Sequence, residues 1–140
     1  MATAHPDFPG TDLVIQHFGY WPIFHDAHLL ECRQTFTGNT QSTLNFILHA
    51  FQTTKEVDPD GHYIQEKDCL VNFRFDEVES LNLEGFKTSN TFFGLTFTLM
   101  QNRRDWSIFA SMIIDPDLEF ICSNPRVVSL TLCDAKAQAI

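Results

Sequence analysis

Eleven residues near the start of the chain hold most of the side chains that could do chemistry. The run Phe18-Gly19-Tyr20-Trp21-Pro22-Ile23-Phe24-His25-Asp26-Ala27-His28 places two imidazoles and a carboxylate within four positions, a grouping able to ligate a metal ion or to act as an acid–base pair. If Ala27 opens a strand, His25 and His28 point to opposite faces, and they can share one ion only where the corner between them is irregular. The structural account of the same residues has His25 and Asp26 bonding backbone groups laid bare by the Pro22 corner, with Trp21 and Phe24 plugging the end of the core. The functional account makes Trp21, Phe24, His25, Asp26 and His28 a binding or interface site. The sequence assigns no catalytic residue, no metal ligand and no cofactor. A small metal-dependent enzyme built on His25, Asp26 and His28 is the alternative.

Other reactive patterns are weaker. Cys32 lies four positions beyond His28, on the same face of a strand, and could imitate a thiolate beside its base, although a lone strand cysteine is ordinarily packing. No Gly-x-Ser-x-Gly elbow, His-Glu-x-x-His, phosphate-cradling loop or Cys-x-x-Cys pair occurs. The acidic pairs Asp58/Asp60 and Asp115/Asp117 straddle prolines and lack the glycine and glutamate of a calcium loop, which makes them turns. His5 and His62 read as loop residues, and His17 and His49 as solvated or hydrogen-bonded. Fourteen phenylalanines could line a ligand cavity, but alternating faces must bury such side chains in any case.

The elements that would position these groups follow from periodicity. Residues 11 to 18 predict a short helix, with Thr11 or Asp12 as N-cap and Gly19 as its stop. Pro22 then biases Trp21 toward extended geometry. From Ala27 the apolar period is two: Leu44, Phe46, Leu48 and Ala50 share one face, and Cys69, Val71, Phe73 and Phe75 another. Further strands are predicted at 81–86, 91–100, 105–114, 118–122 and 127–133. The strand at 105–114 carries apolar residues on both faces and is expected to be covered on both sides.

Asp58-Pro59-Asp60-Gly61, Gln101 to Asp105 and Asp115-Pro116-Asp117 predict tight turns. Short links between successive strands favour an antiparallel meander. The expected fold is α+β, mainly β: a strongly curved antiparallel sheet or two-layer meander with one short N-terminal helix. It forms a single domain over residues 1–140, with an ordered core of about 10–135 and loosely held ends.

The formal charge of −9 argues against nucleic acid, whose recognition needs clustered Lys and Arg. An anionic surface instead speeds encounter with cationic proteins, though it also simply confers solubility. No apolar run is long enough for a membrane span and no secretion signal is evident, so a cytoplasmic location is expected, with Cys32, Cys69, Cys122 and Cys133 as reduced thiols. Oligomeric state is not legible.

The stretch from Phe18 to Ala27 resembles the N-terminal signature of the immunity protein 50 family, an aromatic-Gly-x-Trp-Pro-x-Phe-His-Asp-Ala run followed by a strand. Leu81-Asn82-Leu83-Glu84-Gly85-Phe86 and Phe93-Gly94-Leu95 are similar to its second recurring segment. The loop from Thr53 to Lys67 and the tail after Cys133 match nothing in it. The resemblance implies a bacterial protein that binds and blocks a cognate toxin stoichiometrically, performing no chemistry itself. A basic toxin would suit the charge, and exposed acids such as Asp58, Asp60, Glu77 and Glu79 would be candidate contacts.

Overall fold

The computed structural model describes residues 6–38, 41–79, 91–112 and 117–140. One helix, α1 (Thr11–Phe18), precedes six strands: β1 (His28–Thr37), β2 (Gln41–Val57), β3 (Tyr63–Glu79), β4 (Phe92–Leu99), β5 (Asp105–Met112) and β6 (Leu118–Leu132). They form one antiparallel sheet in the order β1-β2-β3-β6-β5-β4, so the mainly-β antiparallel expectation holds. The predicted strand at 81–86, the Asp115-Pro116 turn and His5 lie outside the described residues.

Curvature has an identifiable cause. Lys67, Glu77 and Asn124 have positive φ and sit where the β2–β3 or β3–β6 register slips, and such bulges bend a strand and tighten its twist. The Asn124 bulge, with the buried Pro125 beside it, joins into a single β6 what the sequence reads as two strands. The curl brings the sheet's outer strands together. The Asp26 amide donates to the Phe92 carbonyl at 2.8 Å, the Phe92 amide to Ala27 at 2.9 Å and the Leu95 amide to Ile23 at 2.9 Å, while His28 bridges Thr91. The corner before β1 thus pairs with β4 in the place of an edge strand and curls the sheet into a barrel that is incompletely paired at this seam.

Phenylalanine fills the concave side. Phe46, Phe73, Phe75 and Phe120 are fully buried, with ring centroids of Phe75 at 5.2 Å from Phe46 and 5.1 Å from Phe120. Phe8 and Trp21 add a further layer against Phe97, at 5.3 and 5.7 Å. The outer face is open: Phe109, on β5, is 37% exposed, which corrects the expectation that this strand is covered on both sides. Curvature alone lets one side of each strand find its partners.

The helix differs from expectation only at its start. Neither Thr11 nor Asp12 caps it. Gly10 does, at φ 88°, and no side chain caps the first turn; the Thr11 hydroxyl instead donates to the Phe8 carbonyl at 3.0 Å. A Cβ at Gly10 would stand 2.2 Å from the Val127 carbonyl oxygen, so close approach to β6 dictates the residue. The helix stops at Gly19 as predicted, its amide bonding Ile15 at 2.7 Å.

Of the predicted turns, those at 58–61 and 101–105 form as read. At 58–61 the Gly61 amide bonds the Asp58 carbonyl at 3.0 Å and Gly61 has φ 85°. Among the described residues near the ends, Phe8 is buried, the Pro9 carbonyl accepts from the Val127 amide, and the Ile140 amide donates back to Leu132 at 3.1 Å.

Candidate functional site

The five residues singled out by sequence divide into three groups. Trp21 and Phe24 belong to the core: Phe24 is buried, and both rings pack edge-on against Phe73, at 6.4 and 5.8 Å. Trp21 therefore offers no outward contact surface in the groove described below. His25 and Asp26 project outward as a pair, Nδ1 to Oδ2 at 3.0 Å, each about half exposed. His28 turns elsewhere, its Nδ1 at 3.0 Å from the Thr91 hydroxyl. The two corner histidines do not converge: the strand begins only at His28, the corner before it is irregular, and even so His25 pairs with Asp26 while His28 faces Thr91. The backbone groups freed by Pro22 are satisfied by β4 rather than by the His25 and Asp26 side chains, a long-range pairing with no local signature.

The corner is held in unusual backbone geometry. A turn over residues 24–27 is closed by the Ala27 amide on the Phe24 carbonyl at 3.1 Å, and Phe24 and Asp26 adopt φ 61° and 68°. For a bulky Phe the left-handed region is unfavourable by roughly 1–2 kcal/mol. It persists because the seam bonds on either side and the burial of the Phe24 ring fix the chain there.

Against this corner runs β2, and between them lies an open-sided groove of about 440 Å³. Phe24, His25 and Asp26 form one wall, Phe51, Gln52 and Thr53 the other, with Tyr20 at the mouth. Among the described residues the Gln52 carboxamide oxygen is the one buried side-chain polar atom with no hydrogen-bond partner. A buried acceptor left so is worth about 1–3 kcal/mol of lost solvation. Exposed Tyr20, Ile23 (67% exposed) and Phe93 surround the corner, with Phe93 stacking edge-on to His25 at 5.1 Å.

A second polar cluster, unforeseen as a pair, lies next to His28. Its cross-strand partner is His49, the ring centroids 6.1 Å apart, and His49 Nε2 meets Asp68 Oδ2 at 2.7 Å with side chains only 5% and 11% exposed. The Lys67 bulge turns Asp68 toward His49. Burial, followed by the neighbouring His49, pushes the His28 imidazole below its ordinary range, and Asp26 opposes the shift. Across the described residues no group of three or more His, Cys, Asp and Glu is arranged to hold a metal ion.

The thiols are free and unactivated. Burial drives Cys32 up to about 11 and Cys69 and Cys122 up to about 12, the opposite of what a nucleophile beside a base needs. Of the acids considered for an interface, Asp58 is occupied by the amides of Asp60 and His62, both at 2.9 Å. Glu77 is held by Arg104 at 2.7 Å and by the Ser123 hydroxyl at 2.9 Å. Asp60 and Glu79 are exposed.

No model of a known protein family matches the chain, and no curated protein or solved structure is significantly similar to it. Among the described residues no helix is long and apolar enough to cross a membrane. The site is thus defined by its geometry: a rigid barrel presenting one strained, aromatic-rimmed corner with an open groove beside it.

Proposed function

We propose that this protein is an immunity protein that neutralises a bacterial toxin by binding it one to one in the cytoplasm. The observation that carries the proposal is the place of the Trp-Pro-Ile-Phe-His-Asp corner. Its Trp and Phe anchor in the core while Ile23, His25 and Asp26 stand out from it, beside the groove and the exposed Tyr20 and Phe93. A residue run that resembles an immunity-family signature therefore builds a firm, solvent-facing surface of mixed apolar and acidic character. Aromatic anchors at the centre of such a surface and polar groups around them are what protein interfaces use.

A net charge of −9 adds attraction for a basic target. Rings in mutual contact occupy the barrel interior, which favours an outer surface over a Phe-lined cavity as the place of action. The test is titration of a toxic protein that the proposal expects to be encoded next to this gene. Toxin activity falls to zero at a one-to-one ratio if the proposal holds, and stays unchanged at excess inhibitor if it does not.

A further inference from the structure

We infer that a second copy of this chain pairs, strand to strand, with the open end of β4, so that two barrels share one antiparallel ladder across a twofold axis. The hydrogen bonding of β4 decides which groups are left over. The Met100 amide donates to the Asp105 carbonyl at 2.8 Å and closes the β4–β5 hairpin. Antiparallel ladders alternate from there, so Thr98 and Thr96 bond toward Ser107 and Phe109. Leu95, Phe97 and Leu99 therefore turn their amides and carbonyls away from β5. The Leu95 amide is taken by the Ile23 carbonyl at 2.9 Å, where the corner covers the strand. Beyond that point the outward main-chain groups of Phe97 and Leu99 meet no partner among the described residues. Thr96, Thr98, Leu99 and Met100 are exposed, and an open hollow of about 380 Å³, lined by Leu99, Met100, Gln101 and Arg103, lies at this end of the strand.

This edge is unguarded. Sheet edges are ordinarily protected by charge, proline or a bulge, and β1, at the opposite edge, carries Glu31 and Arg33. Among the described strands only β4 has no formally charged residue. Its bulge, between Phe92 and Gly94, falls in the part that the corner already covers. An uncharged edge selects a second copy over a cationic partner: two chains of charge −9 repel wherever their carboxylates meet, and a basic protein gains nothing from a strand without acids. The free groups are also self-complementary. With the twofold axis at Thr98, Phe97 of one copy stands opposite Leu99 of the other, and each such pair exchanges both of its N–H···O bonds. Every outward group of the two residues is then satisfied in both copies. Thr98 meets its counterpart at the axis, where two β-branched side chains pack on the exposed face.

So short a ladder buries less than a standard interface, which places the dissociation constant on the order of 10–100 μM. Sedimentation velocity of the full chain from ~1 μM to ~1 mM covers that range. The particle mass is expected to rise from 16.1 kDa toward twice that and no further, with concentration-dependent amide shifts centred on residues 96–100. T98K sets like charges face to face at the axis from an exposed position and is expected to weaken association at least about tenfold. T131K adds the same charge at an exposed position of β6 and is expected to associate as the wild type does. L99P removes an outward N–H without touching the bonds to β5 and is expected to weaken association about tenfold; T98K carries the test if L99P fails to fold. No readout involves a toxin, so the outcome is independent of the inhibitory role. A particle of 16.1 kDa at every concentration leaves the edge to a strand of another protein and overturns the inference. Mass growing past the dimer, equal association of T98K and wild type, or shifts centred elsewhere on the barrel overturn it as well.

Discussion

Replacing Asp68 with Ala removes the partner of an imidazole that has almost no water to fall back on. His49 and Asp68 are 2.7 Å apart with side chains 5% and 11% exposed, so the lost bond is not replaced by solvent. A hydrogen bond to a charged partner contributes roughly 1.5–3 kcal/mol, and an orphaned buried donor adds its desolvation. The expected destabilisation is therefore about 3 kcal/mol, which for a domain of this size lowers Tm by on the order of 10 °C. The control is Arg104→Ala, which breaks the 2.7 Å bond to Glu77 on side chains 70% and 40% exposed; there water substitutes and the loss is under about 1 kcal/mol. Urea unfolding of both variants, with His49→Ala and the Asp68→Ala/His49→Ala double variant completing a double-mutant cycle, measures the pair directly. If Asp68→Ala unfolds no more readily than Arg104→Ala, burial is not what gives this pair its weight, and the account of the β2–β3 bulge as a device for aiming Asp68 fails with it.

Two further outcomes follow from the seam and the helix start. His28 binds its proton less readily folded than unfolded; its contribution is complete above the unfolded value of about 6.5 and is lost as pH falls below that through the lower folded value. The urea midpoint of the wild type should therefore drop more between pH 7.5 and 5.5 than that of His28→Asn, and superimposable pH profiles would contradict the burial of that ring. Gly10→Ala and Gly19→Ala both place a side chain at φ near 87°, but only Gly10 faces β6, at 2.2 Å from the Val127 oxygen, while nothing lies within 4 Å of Gly19. Unfolding free energies should fall by on the order of 3 kcal/mol at Gly10 and about 1 kcal/mol at Gly19; equal losses would mean that the N-terminal segment is not pressed against β6.

The legible part of the fold was whatever a single strand or turn writes into neighbouring positions. Leu44 to Ala50 and Cys69 to Phe75 alternate in apolar character because one face of each packs into the core, with His49 the one residue buried on the opposite face of β2 over that stretch. Beyond them β2 and β3 continue to the hairpin tip as an arm exposed on both sides, where alternation has no cause and the strand ends cannot be read. The His49–Asp68 pair was within reach. Folding the chain about Pro59 and Asp60 puts His49 opposite Leu70, as observed, and Asp68 one diagonal step away. What no local rule supplied was the seam, since bonds from Ile23, Asp26 and Ala27 to β4 join segments some seventy residues apart, and the bulges that aim them have no sequence signature beyond an occasional Asn.

That seam is also why the corner can serve as a site. A left-handed Phe24 two residues before a left-handed Asp26 would relax in an isolated peptide, because a bulky Phe disfavours that geometry although Asp tolerates it. Here Phe24 is locked from inside by Phe73 and Trp21, and the amide of Asp26 is locked from the side by Phe92. The outward pair of His25 and Asp26 therefore stands on backbone fixed at both ends, and the Asp26 carboxylate loses little freedom when a partner arrives, which is the condition for a small surface to bind tightly. Closure of the barrel and presentation of the groove are in this sense one structural act: loosening the Phe24 plug would cost both stability and the shape of the site, whereas D26N should alter the site's charge and leave the barrel closed.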